Sequence, residues 1–175
     1  MQRGRPAAAL AKPLYSPEER VRRDQSAWTL VQGVLAPVQF AVFLVSLGLV
    51  VRFLATGSGE QAAVASVVVK TMVLYTIMIT GSIWEKVVFG KYLFADAFFW
   101  EDVFSMLVLA LHTAYLAALF LGLLDPDGLM LLALAAYAAY VINATQFVLK
   151  LRAARLQVSS AAEFGAADAR AGLAP

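Results

Sequence analysis

The stretch VFSMLVLALHTAYLAALFLGLLDPDGLMLLALAAYAAYVINATQFVL, residues 103–149, decides the fold class of this chain. It holds two runs of mostly apolar residues, Val103–Leu124 and Leu129–Leu149, separated by Asp-Pro-Asp-Gly. A hydrocarbon core about 30 Å thick is crossed by a helix of about 20 such residues. Two further runs of this kind come earlier, at Trp28–Val51 and Ala62–Ile83. We therefore predict an all-α, polytopic membrane protein with four transmembrane helices.

The composition agrees with this class and excludes several others. Of the 175 residues, 61% are hydrophobic and 15% are charged, against about 45–50% and 25% in soluble domains. The chain has no cysteine and one histidine, which excludes thiolate or multi-histidine metal centres and iron–sulfur clusters. We predict no resident metal and no redox cofactor. The basic residues form no stripe with interleaved aromatics, so no nucleic-acid partner is predicted.

The distribution of Lys and Arg predicts the topology. Six basic residues precede the first span, two lie between spans two and three, and four follow span four, whereas the loop between spans three and four has none. By the positive-inside rule, both termini and the middle loop are cytoplasmic. We divide the chain into a basic arm with a short helix (1–27), a transmembrane domain (28–151) and a cytoplasmic, largely disordered tail (152–175).

Local signals predict three further features. Ser16-Pro17-Glu18-Glu19 is typical of a helix start with a capping box, and predicts a short interfacial helix through about Gln25 whose arginines bind anionic lipid. Pro37 predicts a bend in the first span but not a break, with Gln32 and Gln39 able to satisfy freed backbone groups. Asp125-Pro126-Asp127-Gly128 has the order of a type I turn and predicts a tight hairpin between spans three and four.

The segment WEKVVFGKYLFADAFFWED, residues 84–102, is both aromatic and acidic. It is too apolar for a solvated loop, so we expect it to lie in the membrane interface or to fold back into the protein. Because span two descends to this segment and span three leaves it, Glu85, Glu101 and Asp102 should lie at similar depth. Neighbouring carboxyl groups beside a low dielectric favour one protonated acid next to one ionised base. The alternative is that they are ordinary helix-end charges.

Two ionisable residues fall inside the spans. His112 lies near the middle of span three and shares a helix face with Tyr115; residues at such depth are functional candidates. The alternative is a neutral histidine bonded to a neighbouring helix. Lys70, inside span two, can either snorkel outward or pair internally, and we expect it to snorkel.

Semi-polar stripes run along two of the spans. They either line a cavity or supply hydrogen bonds between helices. Their members are Thr71, Tyr75, Met78, Ser82 and Glu85 on span two, and Tyr140, Asn143, Gln146 and Lys150 on span four.

Long runs of the sequence resemble the 2-vinyl bacteriochlorophyllide hydratase family, also called chlorophyllide 3-vinyl hydratase. The resemblance covers about residues 14–157. It rests on LYSPEER from Leu14, WTLVQGVLAP from Trp28, IWEKVVFG from Ile83, FFWEDVFSM from Phe98, LHTAY from Leu111 and YVINA from Tyr140.

The resemblance implies a lyase of bacteriochlorophyll biosynthesis in the inner membrane of a phototrophic bacterium. Its reaction adds water across the 3-vinyl group of chlorophyllide a, without a redox cofactor. We carry over no catalytic residues from the family. From the residues themselves, the candidate acid and base are Glu85, Glu101 and Asp102, with His112 as a ligand of the substrate magnesium or a secondary proton carrier.

Substrate-binding candidates follow from the chemistry of a flat tetrapyrrole. Aromatic side chains suit its faces, and Lys86 or Lys91 suits its propionate. The aromatic candidates are Tyr75, Trp84, Trp100 and Tyr115. The competing hypotheses are a non-enzymatic pigment carrier or photosystem assembly subunit with His112 as magnesium ligand, and a small proton-coupled transporter. Homo-oligomers and contacts with other pigment-biosynthesis enzymes stay open.

Overall fold

The computed structural model describes the backbone of residues 14–171 and the side chains of residues 14–156. This part of the chain contains helices and no strand. The five helices are α1 (Pro17–Gln25), α2 (Ala27–Thr56), α3 (Glu60–Phe89), α4 (Phe99–Leu121) and α5 (Pro126–Ala171). Four of the described helices, α2 to α5, are long and apolar enough to cross a membrane. The prediction of an all-α protein with four transmembrane helices is confirmed.

The four long helices form two hairpins. α2 packs along α3 and α4 packs along α5, and the hairpins meet where α5 contacts α2 and α3 contacts α4. Large apolar side chains cover the outside of the bundle, among them Leu30, Ile79 and Phe120, which are 72%, 62% and 76% exposed. Contiguous apolar surface of this kind is typical of a surface that contacts lipid.

Small residues allow α5 to pack closely against its neighbours. Ala133 and Ala136 are fully buried, and Ala139 is nearly so. Small side chains let helix backbones approach closely where lipid gives no hydrophobic force between helices. The buried alanines thus place α5 in the middle of the bundle.

The connection between α4 and α5 is tight, as predicted. The four residues expected to form a separate type I turn instead belong to the start of α5. Asp125 is the N-cap of α5: its Oδ1 accepts the Gly128 N–H at 2.8 Å, and its carbonyl accepts the Leu129 N–H at 2.9 Å. Pro126 is the first residue of the helix. The expected separate type I turn is therefore the first turn of α5, because the same residue order suits a helix start.

The arm helix α1 begins with the predicted capping box. Ser16 Oγ accepts the Glu19 N–H at 3.2 Å, and Glu19 Oε2 accepts the Ser16 N–H at 2.7 Å. Arg22 Nε donates to the Val88 carbonyl at 2.8 Å, which ties α1 to the end of α3. Burial raises the pKa of the Tyr15 hydroxyl above its ordinary value, so this side chain stays neutral.

The structure agrees with the prediction that α2 is unbroken and differs from the prediction in the length of α5. α2 contains Pro37 and is one continuous helix, as predicted, while its bend stays a prediction. α5 continues to Ala171, past the point where the composition predicts disorder. The alanines of this stretch have the highest helix propensity, which favours extension of the helix. The boundaries of arm, membrane domain and tail stay predictions.

The orientation of the bundle is open to a direct test. With both termini cytoplasmic, a reporter that is active only in the cytoplasm should work when fused after Gln157, and one that is active only outside should work at Asp127. Cytoplasmic activity from the Asp127 fusion would contradict the topology. The same pair of reporters fused at Lys91, in the middle loop, gives the internal control, because that position should match Gln157.

Candidate active site

A cluster of three carboxyl groups lies where α3 ends and α4 begins. Glu85 lies four residues before the end of α3, and Glu101 and Asp102 belong to the first turn of α4. The three are 6%, 7% and 3% exposed. The structure thus brings together the three carboxylates that the sequence places at one depth, and it buries them.

The loop between α3 and α4 folds back over this cluster. Gly90, with φ +82°, ends α3, and Phe94 adopts the left-handed region at φ +59°. A non-glycine residue is strained there. The Phe94 N–H donates to Asp102 Oδ2 at 2.6 Å, a strong contact that offsets this strain.

Glu85 and Asp102 are neighbours under this loop. The Ala95 N–H donates to Glu85 Oε2 at 3.4 Å, and the N–H of the preceding residue, Phe94, donates to Asp102 Oδ2. Two neighbouring carboxyl groups in a buried site do not readily ionise together. The arrangement therefore suits a pair in which one carboxyl group holds a proton.

Glu101 has a different partner, Lys150 on α5. The Lys150 Nζ lies 2.5 Å from Glu101 Oε2 and 5.0 Å from the centre of the Phe98 ring. The ammonium group offsets the negative charge of Glu101 in this ion pair. The sequence places Lys150 on a polar stripe of span four but does not identify it as part of the site. That stripe, with Lys150 as its last member, is the signal that could have found it.

An aromatic cluster surrounds the carboxyl groups on the side of the arm. Phe98 is 2% exposed, and its ring packs against those of Trp84, Phe89 and Phe147. The Trp84 indole N–H donates to Thr29 Oγ1 at 2.9 Å. Trp84 is therefore held in the protein, and its ring forms part of the wall behind the carboxylates.

The other side of the loop is exposed. Trp100 is 67% exposed and Tyr92 is 60% exposed. Lys86 Nζ donates to the Gly90 carbonyl at 2.8 Å and lies 5.3 Å from the centre of the Tyr92 ring, whereas the exposed Lys91 pairs with Asp96 at 3.1 Å. The two lysines and Trp100 thus form a cationic and aromatic rim, and its place in the membrane interface stays a prediction.

A shallow apolar depression lies on the outer surface of the seam between α3 and α4. Its lining residues are Tyr75, Met78, Ile79, Leu109 and Thr113. The Tyr75 hydroxyl bonds Thr113 Oγ1 at 2.9 Å across the seam. Met78 and Glu85 are seven residues apart, so they share a face of α3 about 10 Å from each other. The depression therefore lies along the face of α3 that also carries Glu85, about 10 Å from it.

His112 lies apart from the carboxylates, in the middle of the bundle. It is fully buried, its Nδ1 bonds the Val108 carbonyl at 2.8 Å, and its Nε2 lies 3.0 Å from Lys70 Nζ. Glu101 is eleven residues earlier on α4, about 16 Å along the helix. Both ring nitrogens are engaged, so any magnesium bond would have to displace Lys70. Tyr115 is also fully buried, with no hydrogen-bond partner for its hydroxyl among the described side chains.

The expectation that Lys70 snorkels outward is wrong. Lys70 is fully buried, and its Nζ lies 4.1 Å from the centre of the Tyr140 ring as well as beside His112. A long side chain at this depth finds two polarisable partners inside the bundle. Internal pairing therefore replaces the reach to the membrane surface.

Comparison with known proteins assigns a family to this arrangement. The family model of the 2-vinyl bacteriochlorophyllide hydratases matches residues 15–153. The chain belongs to this family. A 2-vinyl bacteriochlorophyllide hydratase of Cereibacter sphaeroides is 65% identical over 155 residues, which cover 88% of this chain and 96% of the relative. One of Rhodobacter capsulatus is 67% identical over 150 residues, covering 85% and 86%. No solved structure matches the chain.

Membership of the family makes the chain an enzyme, a hydro-lyase of bacteriochlorophyll biosynthesis. The resemblance that the sequence shows is thereby confirmed, and an enzyme replaces the carrier and transporter hypotheses. Family membership does not assign the residues that perform the reaction.

Proposed function

We propose that this protein is a membrane-bound hydratase that adds water to the 3-vinyl group of chlorophyllide a, giving 3-(1-hydroxyethyl)chlorophyllide a. The observation that carries the chemistry is the buried pair of Glu85 and Asp102, next to Glu101 in its ion pair with Lys150. The names of the two relatives specify a vinyl bacteriochlorophyllide. Addition of water to a carbon–carbon double bond requires a general acid and a general base, and a cluster of buried carboxyl groups can supply both.

The reaction divides into two steps, and neither needs an oxidant or a nucleotide. In the first, the π electron pair of the vinyl group takes a proton at the terminal carbon, which leaves a cation on the carbon next to the ring. Conjugation with the macrocycle stabilises this cation. In the second, a water oxygen bonds to the cationic carbon and loses a proton to a carboxylate, which restores the proton balance of the enzyme.

The environments of the three carboxyl groups suggest their roles. In this proposal the Glu85–Asp102 pair carries one proton and is the general acid. Glu101, in its ion pair with Lys150, is the general base, and its negative charge also stabilises the cation. A proton taken up by Glu101 returns to the pair through the neighbouring Asp102, so each turnover leaves the cluster as it began.

The depression between α3 and α4 is proposed as the approach of the macrocycle. Its lining is apolar and lipid-facing, which suits a flat pigment that partitions into the membrane. Tyr75 lies at its far end, and the rim of Trp100, Lys86 and Lys91 lies beyond the carboxyl pair. In this arrangement Lys86 and Lys91 bind the propionate of the substrate. Trp84 and Tyr115 support the site from inside the protein.

His112 is placed outside the reacting groups in this proposal. Its Nε2 is bonded to Lys70, and its distance from Glu101 excludes a direct hydrogen bond between the two. The inner-membrane location is an expectation from the family. The positive-inside rule orients both termini toward the cytoplasm, which puts the carboxyl cluster near the cytoplasmic face. A substrate made in the cytoplasm would then reach the cluster from that side.

Labelled water tests the proposed reaction. Membranes that contain the protein should convert chlorophyllide a to a hydroxyethyl pigment whose new oxygen comes from the labelled water, with no nucleotide added. Membranes from the same host without the protein are the control, and mass spectrometry of the extracted pigment is the measurement. Tight binding of chlorophyllide a without conversion would show that this pigment is not the substrate.

A further inference from the structure

Three side-chain amide oxygens in the interior of the bundle have no hydrogen-bond partner among the described residues. They are the oxygens of Gln39 on α2 and of Asn143 and Gln146 on α5. Gln39 and Asn143 are 3% and 9% exposed. A buried acceptor without a donor is costly, and buried water is the usual donor that satisfies such groups.

Gln39 and Asn143 lie at the same depth. Consecutive spans are antiparallel, so α2 and α5 run in opposite directions. The rings of Phe43 on α2 and Tyr140 on α5 are in contact, with centroids 4.9 Å apart. Gln39 lies one turn before Phe43 and Asn143 lies one turn after Tyr140, so both displacements point toward the carboxyl cluster. The two amide groups therefore lie at about the same depth in the interior of the bundle.

This level is close to the carboxyl cluster. Asn143 Nδ2 donates to Ser105 Oγ at 2.8 Å, and Lys150 pairs with Glu101. Ser105 lies four residues after Glu101, so these two contacts between α4 and α5 are about one turn, or about 6 Å, apart along α4. Gln146 lies between Asn143 and Lys150 on α5. Asn143 and Gln146 thus belong to the stretch of α5 that joins the two contacts, and Gln39 lies at the depth of Asn143.

We propose that Gln39, Asn143 and Gln146 form the water site of the enzyme, which holds the water molecule that adds to the vinyl group. This inference rests on the proposed hydration reaction. Amide oxygens accept the two hydrogens of a water molecule and leave its lone pairs free to bond carbon. They cannot take up a proton, so the proton released on addition passes to Glu101, one turn away.

The proposal separates the two chemical steps, and this gives a test beyond activity alone. If the water is displaced, the acid still delivers a proton to the terminal vinyl carbon. The cation then has no nucleophile and returns a proton from that carbon to the carboxylate. In deuterated water this reversal leaves deuterium on the terminal carbon of unreacted substrate.

The variants are Gln39→Leu and Asn143→Leu, and the matched control is Gln32→Leu. Gln32 is on the same helix as Gln39, but its amide is bonded to Thr80 Oγ1 at 2.8 Å, on the side facing α3. We expect hydration to fall about 10- to 100-fold in both test variants, the scale of a misplaced reactant. The ratio of deuterium in recovered substrate to product formed should rise by a similar factor. The control should keep both values near those of the unaltered protein.

Two results would overturn the water site. Hydration at the normal rate in both test variants would show that the amides do not hold the reacting water. An equal loss of hydration and of deuterium exchange would assign them to the acid step or to the fold. If Asn143→Leu does not fold, Gln39→Leu and the smaller, polar Asn143→Ser decide between these results. Failure of the unaltered protein to hydrate chlorophyllide a is a separate outcome, which refutes the proposed function instead.

Discussion

Replacing Glu85 by glutamine is expected to lower turnover of chlorophyllide a by at least about 10²-fold, the usual scale of general acid catalysis. The amide keeps the size of the side chain and an oxygen for the Ala95 N–H, but it cannot supply the proton that the proposal assigns to the Glu85–Asp102 pair. Asp102→Asn should give a loss of the same order, since the proposal assigns that proton to the two carboxyl groups together. Substrate affinity should change much less than turnover in both variants.

The matched control for these amide variants is Glu60→Gln. Glu60 lies in the first turn of the same helix, at the opposite end of the bundle, and is exposed. Its replacement should leave turnover unchanged. Steady-state rates and pigment binding, measured on the same membranes, make the comparison. Near-normal turnover in both Glu85→Gln and Asp102→Asn would mean that these carboxylates only terminate their helices.

The features of the fold that could be predicted from the sequence are those set by neighbouring residues. The apolar runs fix the spans, Ser16 and Glu19 fix the start of α1, and the Asp125 stretch fixes the connection between α4 and α5. The proximity of the carboxyl groups also follows from the local sequence. The connection between α3 and α4 is short, so α4 begins at about the depth at which α3 ends. Each of these signals spans only a few residues, so it can be recognised without knowing how the helices pack.

The partners of the charged residues depend on packing and could not be predicted in this way. Lys150 meets Glu101 across 49 residues of sequence, and Lys70 meets His112 across 42. Both pairs depend on how one helix is oriented about its axis relative to its neighbour. A semi-polar stripe indicates this orientation only roughly. For Lys70, the sequence allows both snorkelling and internal pairing and favours snorkelling, but the facing His112 and Tyr140 hold the side chain inside the bundle.

The loop between α3 and α4 shows a second limit. Phe98 is buried and Trp100 is exposed, although both are large aromatic residues in the same segment. The loop that leads to them turns at the left-handed Phe94, whose conformation has no signal in the sequence because phenylalanine rarely adopts it. Composition identifies the segment as aromatic and acidic, but it cannot assign which ring faces the carboxylates.

The pairing of Lys70 with His112 predicts an unusual pattern of stability. Both side chains are fully buried at membrane depth, so removing one partner leaves the other without its hydrogen bond. His112→Leu and Lys70→Met should each lower the free energy of unfolding by about 1–3 kcal/mol. Replacing both partners by apolar residues removes the unsatisfied group, so the double variant should be more stable than the sum of the two single changes implies.

Thermal unfolding in detergent and pigment binding, measured on the three variants, distinguish this pair from a substrate site. Because His112 is placed outside the reacting groups, the double variant should recover stability and keep chlorophyllide a binding together with most of its turnover. A His112→Leu protein of normal stability that no longer binds the pigment would instead make His112 the ligand of the substrate magnesium. A variant that is stable and binds normally but is inactive would assign the proton chemistry to the histidine, in which case Lys70, at 3.0 Å, becomes its proton partner.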